Sequence, residues 1–230
     1  MRRFAYCSNH RSRLLLGTPT VGPAEALYIT SSQFDTNIYS LGIRFILASV
    51  TGTQVLLWNT EGAVPKNENW GYYMLDDTLA YTNHSSGRVD LKSSLVIGHE
   101  YSLWIDYDTG GLNWMLYDRT AGVLATGSVS PTDYTPVDSV VNVLNDRALA
   151  GALVAPGTLW DFVYVGGGAP LADMWAGYGV PLYLVTYWFP MREGAGTTCP
   201  DLRSRGVYEL VTSTGFSWSG TDSDPTKRWQ

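Results

Sequence analysis

Glu100, Asp106 and Asp108 fall within one short stretch, HEYSLWIDYD, and are the acids best spaced to attempt chemistry. Two carboxylates can cleave a glycosidic bond when they face each other across it, about 5–10 Å apart, one as acid and the other as nucleophile or base. On one strand face that requires acids two or four residues apart. Glu100 and Asp106 share a face by parity, but the E-x-D-x-E and E-x-D-x-x-E spacings are absent. Asp108 is expected to open a turn and Asp106 to be an outward polar residue. His10, His84 and His99 lie in no G-x-S-x-G or H-E-x-x-H frame, so a nucleophile or zinc site lacks its parts. No catalytic residue is expected, and no enzyme.

Binding chemistry is better represented. Trp70 closes a polar loop and is followed by Tyr72 and Tyr73, with Tyr81 close behind. An aromatic ring at a loop rim can stack against the apolar C–H face of a sugar while neighbouring polar groups take its hydroxyls. Trp70, Tyr72, Tyr73 and Tyr81 are therefore the expected ligand-binding residues. Trp104, Trp114 and Trp160 fall inside strand patterns and read as core. Asp76, Asp77, Asp118, Asp146 and Asp201 could lend oxygens to calcium, but turn formation accounts for the same residues, and neither metal nor cofactor is expected. Cys7 and Cys199 have no C-x-x-C partner and are expected as free thiols.

These residues need a scaffold, and the chain signals strands. Tyr101, Leu103, Ile105 and Tyr107 alternate with Ser102, Trp104 and Asp106, the two-residue rhythm of a half-buried strand. Turns at Asp108–Gly111 and at Asp118–Gly122 frame a second strand, Leu112–Tyr117, giving a hairpin meander. Further strands are expected at 42–50, 53–59, 71–75, 91–97, 140–144 and 158–165, with loops at 60–70, 81–88 and 126–138. One short helix is expected near residues 170–176, with Pro170 in its first turn. The whole reads as an all-β, two-sheet antiparallel sandwich.

Composition narrows the function classes. Of 230 residues, 45% are apolar and only 16% charged, enough to bury one large core. Arg2, Arg3, Arg11 and Arg13 precede the first acid, Glu25, while the chain as a whole carries −6. The body is thus strongly acidic and repels phosphate backbones, so nucleic acid is not an expected partner. The N-terminus lacks the apolar core of a signal peptide. Residues 174–191 form an uncharged run, but Gly177, Gly179, Pro181 and Pro190 argue for a buried strand with turns and against a membrane span.

Several of these segments together resemble the concanavalin A-like, laminin-G-like jelly-roll domains, especially those carried on bacteriophage virion proteins. His99–Gly110 is similar to that family's strand entering a D-G turn, with Leu116-Tyr117-Asp118 at its next strand; Val141–Asp146, Gly157–Tyr164 and Ala169–Trp175 match later strands and a helix. The cassette from Trp188 to Trp218, with its EGAGTT turn, belongs to the same vocabulary but trails the domain here instead of heading it. The resemblance implies three parts: a basic arm at 1–24, a jelly-roll sandwich at 25–180, and a cassette at 181–230 that completes the sandwich or docks a neighbour. It further implies a non-enzymatic structural or adhesive protein of a phage particle, a capsid decoration or tail-associated subunit. Its partners would be other virion proteins and host surface glycans, with self-association open. A cellular carbohydrate-binding module is the alternative, and a glycoside hydrolase the third reading, with its acid pattern missing.

Overall fold

The structure is a computed structural model that describes residues 13–16, 27–30, 39–47, 50–60, 70–83, 87–108, 111–130, 140–143, 157–167, 186–189, 198–200, 209–211 and 216–219. For some of these, Trp70 and Trp160 among them, it describes the backbone alone. Every regular element among them is a strand, and all pairings are antiparallel. The helix expected near 170–176 lies outside the described residues.

The strands are β1 (Arg13–Leu16), β2 (Leu27–Thr30), β3 (Tyr39–Leu47), β4 (Thr53–Thr60), β5 (Trp70–Leu75), β6 (Thr78–Asn83), β7 (Gly87–Lys92), β8 (Glu100–Asp108), β9 (Gly111–Asp118), β10 (Val123–Val129), β11 (Val140–Val143), β12 (Gly157–Gly166), β13 (Tyr187–Phe189), β14 (Thr198–Pro200), β15 (Glu209–Val211) and β16 (Phe216–Ser219). One sheet runs β10-β9-β8-β3-β12-β1-β16, with β13 also paired to β12. The other runs β14-β15-β2-β11-β4-β5-β6-β7. This is the two-sheet sandwich that the alternation predicts.

The core forms where the two inner faces meet. Tyr39, Leu41, Ile43 and Phe45 of β3 lie beside Tyr101, Leu103, Ile105 and Tyr107 of β8, and all are buried. From the other sheet come Tyr72, Met74, Leu79 and Tyr81. The Tyr39 and Tyr72 hydroxyls meet at 3.1 Å and join the two layers. Tyr39 stacks on Tyr107 and Tyr164, and Tyr187 and Phe189 of β13 pack against Tyr164 and Phe162. Aromatic rings thus fill much of the space between sheets, at the offset and tilted geometries their quadrupoles favour.

Described strands from the N-terminal and C-terminal parts of the chain enter the sheets. β1, within the expected basic arm, pairs with β12 and β16. The C-terminal strands divide between layers: β13 joins β12, β15 joins β2, and β16 joins β1.

Two loop expectations are corrected. Residues 81–88 hold the end of β6 and the start of β7, and β7 ends at Lys92, so the strand expected at 91–97 begins and ends earlier. Residues 126–129, expected in a loop, complete β10. Both are outer strands of a sheet with one edge open, where polar and small residues satisfy the pleat as well as apolar ones do and the hydrophobic rhythm fades.

Candidate functional site

Of the four residues expected to bind a ligand, Tyr72 and Tyr81 are directly opposed on the inner face and only 0% and 1% exposed. Their rings pack 5.2 Å apart against each other in the core and present no face to solvent. The period of two explains this: Tyr72 and Tyr73 are consecutive, so a strand must send one in and the other out. Tyr73 goes out, over the buried Ala80, on a face shared with Thr82, Arg88 and Asp90. Burial raises its phenol above the ordinary value, with Arg88 opposing and Asp90 adding. Trp70 opens β5 opposite Asn83, and its side chain lies outside the described residues.

The other sheet carries the richer surface. On the outward side of β8, Trp104 stands opposite Gly42 of β3, and a methyl group placed on Gly42 would lie 2.0 Å from the nearest indole carbon and overlap the ring. The ring therefore lies on bare glycine backbone and is only half-buried. One row along, Asp106 stands between Ser40 and Asn113. Ser40 Oγ donates to Asp106 Oδ1 at 2.7 Å, and Asn113 is exposed. Burial pushes the Asp106 carboxyl above its ordinary value, the Ser40 hydrogen bond opposes this, and the Asp108 charge adds to it. Across β3, Ser40, Val163 and Val165 are buried even though they face outward. Trp104 and Asp106 thus sit where a covered half of the sheet gives way to the open strands β9 and β10.

An aromatic plate beside a carboxylate acceptor and an exposed carboxamide matches the mixed character of a sugar, with its apolar ring face and hydroxyl edges. The sequence placed Trp104 in the core because strand position alone favours burial; the parity with Asp106 in the same strand was the signal that it turns outward. Trp114, by contrast, does enter the core and lies over Gly127, its partner on β10.

Glu100 lies on the same outward face as Asp106 but six residues away, about 20 Å along an extended strand. It accepts from Arg44 and, at 2.9 Å, from Arg119, which tie it into an ion-pair cluster at the far end. The two cannot flank one bond. Among the described calcium candidates, Asp118 caps its own turn, and Asp76 and Asp77 accept hydrogen bonds from other protein groups. Asp76, at φ 52°, accepts from the Gly52 N–H at 3.0 Å; Asp77 accepts from Thr78; and Asp118 accepts from the N–H groups of Thr120 and Ala121. Asp146 and Asp201 lie outside the described residues. Among the described residues, no group of three or more His, Cys, Asp or Glu could hold a metal ion, and no helix is long and apolar enough to cross a membrane.

No protein-family model matches the chain, and no curated protein matches it in sequence. Solved structures match its fold. A candidate carbohydrate-binding protein from Bacteroides ovatus is similar at TM-score 0.62 and 10% identity, over 93% of this chain and 61% of that one. The enzymatically active domain of tailspike protein 2 from bacteriophage CBA120 is similar at TM-score 0.53 and 13% identity, over 79% of this chain and 29% of that one. The carbohydrate-binding module CBM40 of the Ruminococcus gnavus IT-sialidase, bound to α2,3-sialyllactose, is similar at TM-score 0.51 and 13% identity, over 73% of this chain and 98% of that module. This chain therefore spans less than two thirds of the first two. The fold is a concanavalin A-like jelly-roll sandwich.

Proposed function

We propose that this chain is a non-enzymatic glycan-binding protein of a phage particle, capsid-decorating or tail-associated, and that it binds sugar on the outward face of β8 and β9. The observation that carries the binding reading is Trp104 packed against Gly42 beside the Ser40-anchored Asp106 and the exposed Asn113. Trp104 would stack on the sugar ring, Asp106 would accept from hydroxyls, and Asn113 would both donate and accept. Similar folds in a candidate carbohydrate-binding protein and in a sugar-bound module support the ligand class. The tailspike likeness supports the particle setting.

A glycan array followed by titration tests the binding. Wild type is expected to bind at least one oligosaccharide class. Trp104→Ala should lose at least about tenfold in affinity, about 1.4 kcal/mol. Asp106→Asn should lose a similar amount, and Tyr73→Ala, on the opposite outer face, should bind as wild type does. Failure of the wild type to bind any glycan, or full affinity in Trp104→Ala, overturns the reading.

A cellular carbohydrate-binding module is the second reading, favoured by the near-complete coverage of the sialidase module. Copurification with assembled particles at a fixed copy number separates the two: presence supports the virion protein, and absence supports the module. Turnover of any bound glycan would defeat both in favour of a hydrolase.

A further inference from the structure

Each sheet of a sandwich ends in strands whose outer main-chain groups have no partner, and soluble proteins blunt such edges with short length, proline or charge. Three of the terminal strands here do so. β14 has three residues and ends in Pro200, β16 has four residues, and β7 carries Arg88, Asp90 and Lys92. β10 does none of these. It is VLATGSV, seven residues with no charge and no proline, paired with β9 along its whole length. Among the described residues, no strand pairs with its other edge. Val123 and Leu124, at its start, are 55% and 44% exposed.

We infer that β10 pairs antiparallel with β10 of a second copy of this chain, joining two sheets into one. The strand suits itself as partner. Centred on Thr126, a two-fold axis would set Val123 opposite the partner's Val129, Leu124 opposite Ser128, and Ala125 opposite Gly127. No like charges meet anywhere along it, which is the condition an isologous edge must satisfy. The register also preserves parity, so Ala125 and Val129, which pack on the core, continue the inner face, while Leu124, Thr126 and Ser128 continue the outer one.

The pairing joins the two proposed sugar platforms. The row Trp104–Met115–Thr126 would run on through the partner's Thr126 and Met115 to its Trp104. Five strand spacings separate the two indoles, about 24 Å on one continuous face. A single glycan chain could engage both, and the second contact would then be intramolecular. The self-pairing itself does not depend on the sugar reading, and its test needs no ligand.

Sedimentation equilibrium of the full chain between 1 and 100 µM is the experiment. Wild type is expected at twice the 25.3 kDa chain mass. Thr126→Lys and Thr126→Glu, each placing two like charges face to face, should each shift to monomer while keeping the wild-type near-UV circular dichroism. Mixed in equal amounts, they should re-form a dimer. A monomeric wild type overturns the inference. So does a dimer that both charged variants leave intact, or a mixture of the two folded variants that stays monomeric.

Discussion

At Gly42 the lack of a side chain makes a surface: the backbone is bare enough for Trp104 to lie on it, and a methyl there would overlap the indole. Gly127 serves Trp114 in the same way on the inner side, where an added carbon would fall 2.6 Å from the ring. Direct glycine–tryptophan pairs across adjacent strands let a large ring cover a weak strand position. Gly42→Ala and Gly127→Ala should each cost about 1–3 kcal/mol by overpacking, read from urea denaturation. Only Gly42→Ala should also weaken glycan binding, because only Trp104 faces outward. Equal loss of binding in both variants would mean that general loosening of the sheet, and not the position of the indole, governs the site.

Among the elements, the β9–β10 hairpin depends on one carboxylate. Asp118 accepts from the Thr120 and Ala121 N–H groups at 3.0 and 2.9 Å and lies 2.7 Å from His99 Nδ1, which precedes β8. Partial burial raises its pKa, but the His99 and main-chain hydrogen bonds outweigh this and hold it below the ordinary carboxylate value. A carboxyl lowered on folding contributes stability that is present above its unfolded pKa and is lost as pH falls through the folded one. Stability should therefore fall as pH drops below about 4, the ordinary carboxylate value, and Asp118→Asn should show a shallower fall in its urea midpoint. At pH 7, Asp118→Ala should cost about 1–2 kcal/mol through the freed turn N–H groups. The same hairpin presents the β10 edge, so an intact Asp118 turn is a condition for the proposed self-pairing.

For the molecule as a whole, the C-terminal strands pair into both layers. Tyr187 and Phe189 are buried against Tyr164 and Phe162, and β15 and β16 pair with strands near the N-terminus. A chain ending at Val185 would lose both rings and expose the flank of β12. Losing a buried aromatic ring costs about 3–5 kcal/mol, and two approach the whole stability of an ordinary domain. The truncated chain should show no cooperative thermal transition and little near-UV signal. A sharp melt near that of the full chain would mean that residues 186–230 pack as an appendage.

Alternation within 101–107 determined which side chains of β8 turn inward, and the glycine and aspartate turns at either end of Leu112–Tyr117 determined the hairpins, because both depend on neighbours a few residues away. The same local rule, applied across Tyr72 and Tyr73, separates two tyrosines that had been read together as ligand contacts. Register and edge status come from strands far apart in the chain. That Gly42 lies beneath Trp104, that Tyr39 reaches Tyr72 across the layers, and that β10 ends its sheet could be decided only by tertiary structure. A strand's own pattern fixes its two faces but not which strand pairs beside it.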